Sequence, residues 1–149
     1  MTRDKIEDVF NIFHDGSIEE EYEFKNNSLL LKISCLYLAE LVNKDFEYFY
    51  IRLSNIKTFS LKPWHRSLDT KAISNISEIL NFQLEINSCD IENNIFNITC
   101  LSSYTEDIGG GNLLIDADTI NVYDETKKEI TLPSLISISK NYWDKLSSR

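Results

Sequence analysis

The string His14-Asp15-Gly16 places an imidazole beside a carboxylate. Such a pair can serve as an oriented general base or contribute to a metal site, because imidazole titrates near neutral pH. Side chains of adjacent residues seldom meet in a catalytic geometry, however. A glycine directly after the pair reads instead as a helix-to-strand junction. Gly16 is expected to take the left-handed turn, Asp15 to bond local backbone amides, and His14 to cap helical carbonyls. His65 is the only other histidine. A small-ligand-binding or hydrolytic site near His14, Asp15 and His65 would need two distant loops to converge. No metal-ligand spacing supports that, and neither metal nor cofactor is expected.

Trp64, next to His65 and Arg66, reads as a contact residue, since tryptophan offers a large area and arginine a planar donor fork. Asp116 and Asp118 lie two apart on an expected strand, so both leave the same face. They lack the calcium-loop or nucleophile context that would turn paired carboxylates into an acid-base site. Gly109-Gly110-Gly111 lacks the Lys-Ser/Thr of a phosphate loop and reads as a flexible connection. No Gly-Xaa-Ser-Xaa-Gly string is present. Cys35, Cys89 and Cys100 have no paired spacing and read as small buried hydrophobes in a reducing compartment.

The elements that would carry these residues follow from periodicity. Ile6, Val9, Phe10 and Phe13 form one helical stripe, with Thr2 as its expected N-cap. Ile18, Tyr22 and Phe24 begin a series of strands, with Asn26-Asn27 as a tight turn. Leu29 to Cys35 and Tyr48 to Leu53 alternate with period two. Asn55 is expected to reverse the chain, so that Thr58 to Leu61 return beside the preceding strand. Between Ser67 and Leu80 the pattern fits either a helix capped by Asp69 or a strand. Phe82 to Ile86, Ile95 to Leu101, Leu113 to Ala117 and Ile130 to Leu132 are further strands, with Asn93-Asn94 as another turn. Pro133 suits the start of a last helix carrying Leu135, Ile138, Tyr142 and Leu146 on one side.

The chain has 149 residues, is 42% hydrophobic and carries a formal net charge of -9. It can bury one core and is expected to form a single domain over residues 1–149. The expected fold is α+β: a mainly antiparallel, curved sheet or sandwich of about eight strands with two or three short helices at its ends. With 24 Asp+Glu against 15 Lys+Arg, the charge opposes binding to nucleic acid. No apolar run is long enough for a membrane span, and the acidic N-terminal residues do not read as a signal peptide, so the expected location is cytoplasmic. The acidity is concentrated in Glu19, Glu20, Glu21 and Glu23, and again in Glu106, Asp107, Asp116, Asp118, Asp124 and Glu125. A field of that sign attracts a basic partner.

Phe13-His14-Asp15-Gly16-Ser17-Ile18, a following hairpin, Trp64 ahead of a longer excursion, and a late Tyr142-Trp143 resemble small bacterial proteins that include immunity-protein families of toxin–immunity gene pairs. The resemblance spans about the first third of the chain plus scattered aromatics. It implies a non-catalytic cytoplasmic antagonist that plugs a toxin's active site. The expectation is therefore an acidic, non-enzymatic binding protein acting on a basic, toxin-like partner, with Trp64, Glu106, Asp107, Asp116 and Asp118 as its contacts. An oligomeric structural module is the other non-enzymatic alternative.

Overall fold

The computed structural model of the protein describes residues 1–64, 71–102 and 109–148. A 3-10 turn at Arg3–Lys5 runs into α1 (Ile6–Ile12). There follow β1 (Ser17–Lys25), β2 (Ser28–Ser34), α2 (Leu36–Val42), β3 (Tyr48–Pro63), α3 (Ile76–Leu80), β4 (Leu84–Glu92), β5 (Ile95–Ser102), β6 (Gly110–Tyr123), β7 (Glu129–Ile130) and α4 (Leu132–Ser147).

The Asn-Asn pairs set the two tight hairpins. Asn26 and Asn27 have φ of 54° and 55°, and Asn93 and Asn94 have 52° and 63°. Two consecutive left-handed residues match the twist of the strands they join, and asparagine tolerates that region. The hairpins grow into two antiparallel meanders, β1-β2-β3 and β4-β5-β6. They are zipped together along β3 and β6, from Tyr50↔Tyr123 to Pro63↔Gly111. On the far side β1 meets β4 through the single pair Ser17↔Glu85. The ring β3-β2-β1-β4-β5-β6 thus closes as a six-stranded barrel with one thin seam, and β7 extends the sheet beside the end of β6.

The α+β, antiparallel, curved expectation holds, with seven strands and four α-helices among the described residues. The strand count falls short because Asn55 does not reverse the chain. Its φ of 54° lies inside β3, beside a register shift between Ile56 and Thr58 against β6, so the strand bends and continues. Likewise Gly110 and Gly111 open β6 and do not form a loose connection; only Gly109 takes a left-handed φ, of 58°. The extra helix is α2, whose Leu-Tyr-Leu-Ala-Glu-Leu-Val is made largely of good helix formers. Within the stretch left open between helix and strand, Ile73 pairs with Leu61 as an isolated bridge. Helix begins at Ile76, capped by Asn75, whose side chain accepts from the Glu78 N–H at 2.9 Å. Asp69 lies outside the described residues.

The core is shared by the barrel and its helices. Ile6, Val9, Phe10 and Phe13 of the first stripe are buried, as are Phe49 of β3, Phe96 of β5, and Ile79 and Leu80 of α3. Burying each such side chain contributes about 2–3 kcal/mol. Thr2 does not cap: its hydroxyl donates to the Asp4 carboxylate and no backbone amide bonds to it. On α4 Leu135 is buried and Ile138 and Tyr142 pack on the core, while Leu146 at the far end is exposed.

Candidate functional site

α1 ends at Ile12, capped by Phe13, and the chain turns into β1 with Asp15 at φ 69°; Gly16 is not left-handed. The turn needs a glycine for space instead. A Cβ on Gly16 would lie 2.9 Å from the Phe13 carbonyl oxygen and 3.1 Å from Ile33 Cγ2. His14 does not cap the helix. Its Nδ1 donates to the Asn87 carbonyl of β4 at 2.7 Å. Its Nε2 stands 3.3 Å from Asp15 Oδ2, so these sequence neighbours do touch.

Around this pair the late aromatics gather. The rings of His14 and Trp143 are 6.4 Å apart and those of Tyr37 and Tyr142 are 4.4 Å apart, while the Tyr37 hydroxyl donates to the His14 carbonyl. The His-Asp-Gly turn and the Tyr-Trp pair, distant in sequence, therefore form one patch with Trp143 46% exposed. The neighbouring thiol, Cys35, is buried, and desolvation pushes its pKa up to about 11. Burial likewise raises Tyr37. Among the described residues no cluster of three or more His, Cys, Asp or Glu side chains is arranged to hold a metal ion. His65 lies outside the described residues.

Trp64, Asp116 and Asp118 are joined by β6. The Trp64 backbone N–H donates to the Gly110 carbonyl, and its indole donates to Asn112 Oδ1 at 2.6 Å. Asn112 in turn donates to Asn97, and Asn97 to Glu92. Asp116 and Asp118 follow Asn112 on the outward face of the strand, the nearer about 13 Å along it. Both carboxylates are already matched: Asp116 Oδ1 to Arg3 Nε at 2.8 Å and Asp118 Oδ1 to Lys57 Nζ at 3.1 Å. Asp124 is buried in its turn. Burial opposes its ionisation, but hydrogen bonds from Thr126 and Lys128 outweigh this and hold its pKa low. Glu106 and Asp107 lie outside the described residues.

Among the carboxylates without a described cation within ion-pair distance, one group gathers beside the seam. Glu19 and Glu20 belong to a two-residue excess in β1, between the pairs Ile18↔Ile33 and Tyr22↔Leu31; Glu23 follows, and Glu85 of β4, opposite Ser17, lines the same cavity as Glu19. Glu21 alone of that run is paired, with Lys32 at 3.2 Å. Beside the seam a cavity of about 460 Å³ is lined by Ser17, Glu19, Gln83, Glu85, Leu101, Ser102 and neighbours. Tyr22 and Phe24, read from the sequence with the apolar set that starts the strands, are 39% and 49% exposed. Their register opposite the buried Leu31 and Leu29 puts them on the inner side, which is open to solvent there.

These features define a class: an α+β protein built on a closed antiparallel barrel with one thin seam, negatively charged beside it. No helix among the described residues is long and apolar enough to cross a membrane. The chain matches no protein-family profile, no curated protein and no solved structure.

Proposed function

We propose that the chain is a non-enzymatic, acidic binding protein, most concretely an immunity-type inhibitor of a basic toxin domain. The observation that supports this is the location of the unmatched charge. Asp116 and Asp118 are tied to Arg3 and Lys57, whereas Glu19, Glu20, Glu23 and Glu85, on β1 and β4, have no described cation within ion-pair distance. Carboxylates left exposed and unpaired speed encounter with a basic partner and pair with it on contact. Trp64 beside β6 and Trp143 beside His14, each part-exposed in its own place, offer large side chains suited to an interface.

The test is to mix the purified protein with the product of the adjacent gene. A complex at micromolar concentration that weakens steeply with added salt is the expected result. No complex at low salt sinks the reading. Charge reversal at Glu19 and Glu20 is expected to slow association more than reversal at Asp116 and Asp118.

A further inference from the structure

The Asn26-Asn27 turn makes Lys25 and Ser28 a hydrogen-bonded pair. Antiparallel pairs alternate, so Phe24↔Leu29 and Tyr22↔Leu31 are the pairs that exchange no backbone bonds. The N–H and C=O groups of Tyr22 and Phe24 therefore point away from β2, towards the side where β4 would continue the sheet. β4 pairs with β1 only at Ser17↔Glu85, and no described group bonds these four polar atoms. The same two residues expose their rings on the inner side. Tyr22 is anchored there by its hydroxyl contact with Ser77 of α3, while Phe24 has no such anchor. Glu23 faces outward from the same edge, and Glu20, earlier on the strand, is held by Gln83 Nε2 at 3.2 Å.

We propose that this edge of β1, from Tyr22 to Lys25, accepts an extended, lysine- or arginine-bearing segment of the partner as an added strand. The inference rests on the reading of the chain as an acidic binding protein and says where and how it binds. The added strand satisfies the free backbone groups of Tyr22 and Phe24. Its inner-facing side chains cover the Phe24 ring, and its outer-facing ones meet Glu23. Period two thus selects a segment that alternates apolar and basic residues. Glutamates and a bulge on an edge strand also discourage neutral or acidic strands from adding, which makes the edge selective for a cationic one.

The probe is a short synthetic peptide alternating lysine and valine, compared with the same peptide N-methylated along one backbone edge and with a glutamate–valine version. Amide exchange is followed by NMR on the intact chain. The lysine peptide is expected to slow exchange at Tyr22 and Phe24 by about tenfold or more. N-methylation is expected to cost about tenfold or more in affinity. Glu23→Lys, an exposed change that leaves the fold intact, should weaken binding to a similar degree. If the N-methylated peptide binds equally well and Glu23→Lys still weakens it, strand addition is overturned while the acidic reading stands. If lysine and glutamate peptides behave alike and Tyr22 and Phe24 gain no protection, both fall.

Discussion

The Asn11 side chain of α1 exchanges two hydrogen bonds with the backbone of Cys89 in β4: Nδ2 donates to the carbonyl at 2.9 Å, and Oδ1 accepts from the N–H at 2.8 Å. A carboxamide presents the same donor and acceptor as a peptide unit, so Asn11 stands where a neighbouring strand would. Together with His14 on the Asn87 carbonyl, it closes the edge of β4 that β1 leaves free beyond Ser17. The seam of the barrel is thus closed on the β4 side by a helix, while among the described residues the backbone of β1 at Tyr22 and Phe24 has no partner on that side.

Removing that mimic should loosen the helix from the barrel. Asn11→Ala is expected to cost about 1–2 kcal/mol, because two backbone groups lose partners at a partly buried site. Urea unfolding with an unchanged slope checks this. Asn11→Asp keeps the acceptor but sets a carboxylate against the Cys89 carbonyl. It should cost more than alanine at neutral pH and less once the pH falls below the carboxylate range.

Gly109 and Gly110 are needed for different reasons. A Cβ on Gly110 would lie 2.3 Å from the Cys100 carbonyl oxygen and 2.8 Å from the Trp64 ring. Gly110→Ala should therefore displace the tryptophan and destabilise the chain by about 3 kcal/mol or more. At Gly109 nothing lies within 4 Å of that position, and only its φ of 58° matters. Gly109→Ala should cost about 1 kcal/mol. Tryptophan emission followed through denaturation separates the two: a shifted native spectrum for Gly110→Ala, and an unchanged one for Gly109→Ala.

The thiols give the chain an alkaline limit. Burial pushes Cys35 up to about 11 and Cys89 and Cys100 up to about 12, from a reference of 9.0. Below pH 9 both folded and unfolded chains keep these protons. Above it the unfolded chain releases them and the folded chain does not, so the unfolded state binds fewer protons and stability falls as pH rises towards 11 to 12. Unfolding midpoints measured on either side of pH 9 should show the loss, and a triple Cys→Ala variant should reduce it, the remainder above pH 10 coming from Tyr37. At neutral pH a thiol reagent should label the native chain far more slowly than the urea-unfolded chain; equal rates would refute the burial argument.

Local chemistry in the sequence was enough for the first helix stripe, both Asn-Asn hairpins, the period-two strands and the buried cysteines, because each is decided by a few neighbouring residues. Asn55 shows where local signals stop. An asparagine at positive φ serves a reversal or a bulge equally well, and the choice was made by β6, whose pairing continues on both sides of it. Tyr22 and Phe24 show the same limit for a site. Their alternation sets which side of β1 they occupy, but whether that side is core or surface depends on where β4 stops pairing with β1. The balance of Asp116 against Arg3, 113 positions apart, and the meeting of His14 with Trp143 likewise arose only when the barrel closed and brought distant segments together. Residue type and spacing determined the pieces and the overall sign of the charge. Tertiary packing decided which carboxylates were neutralised and which edge was left open, because pairing energies depend on distance in space and the chain order does not encode that distance.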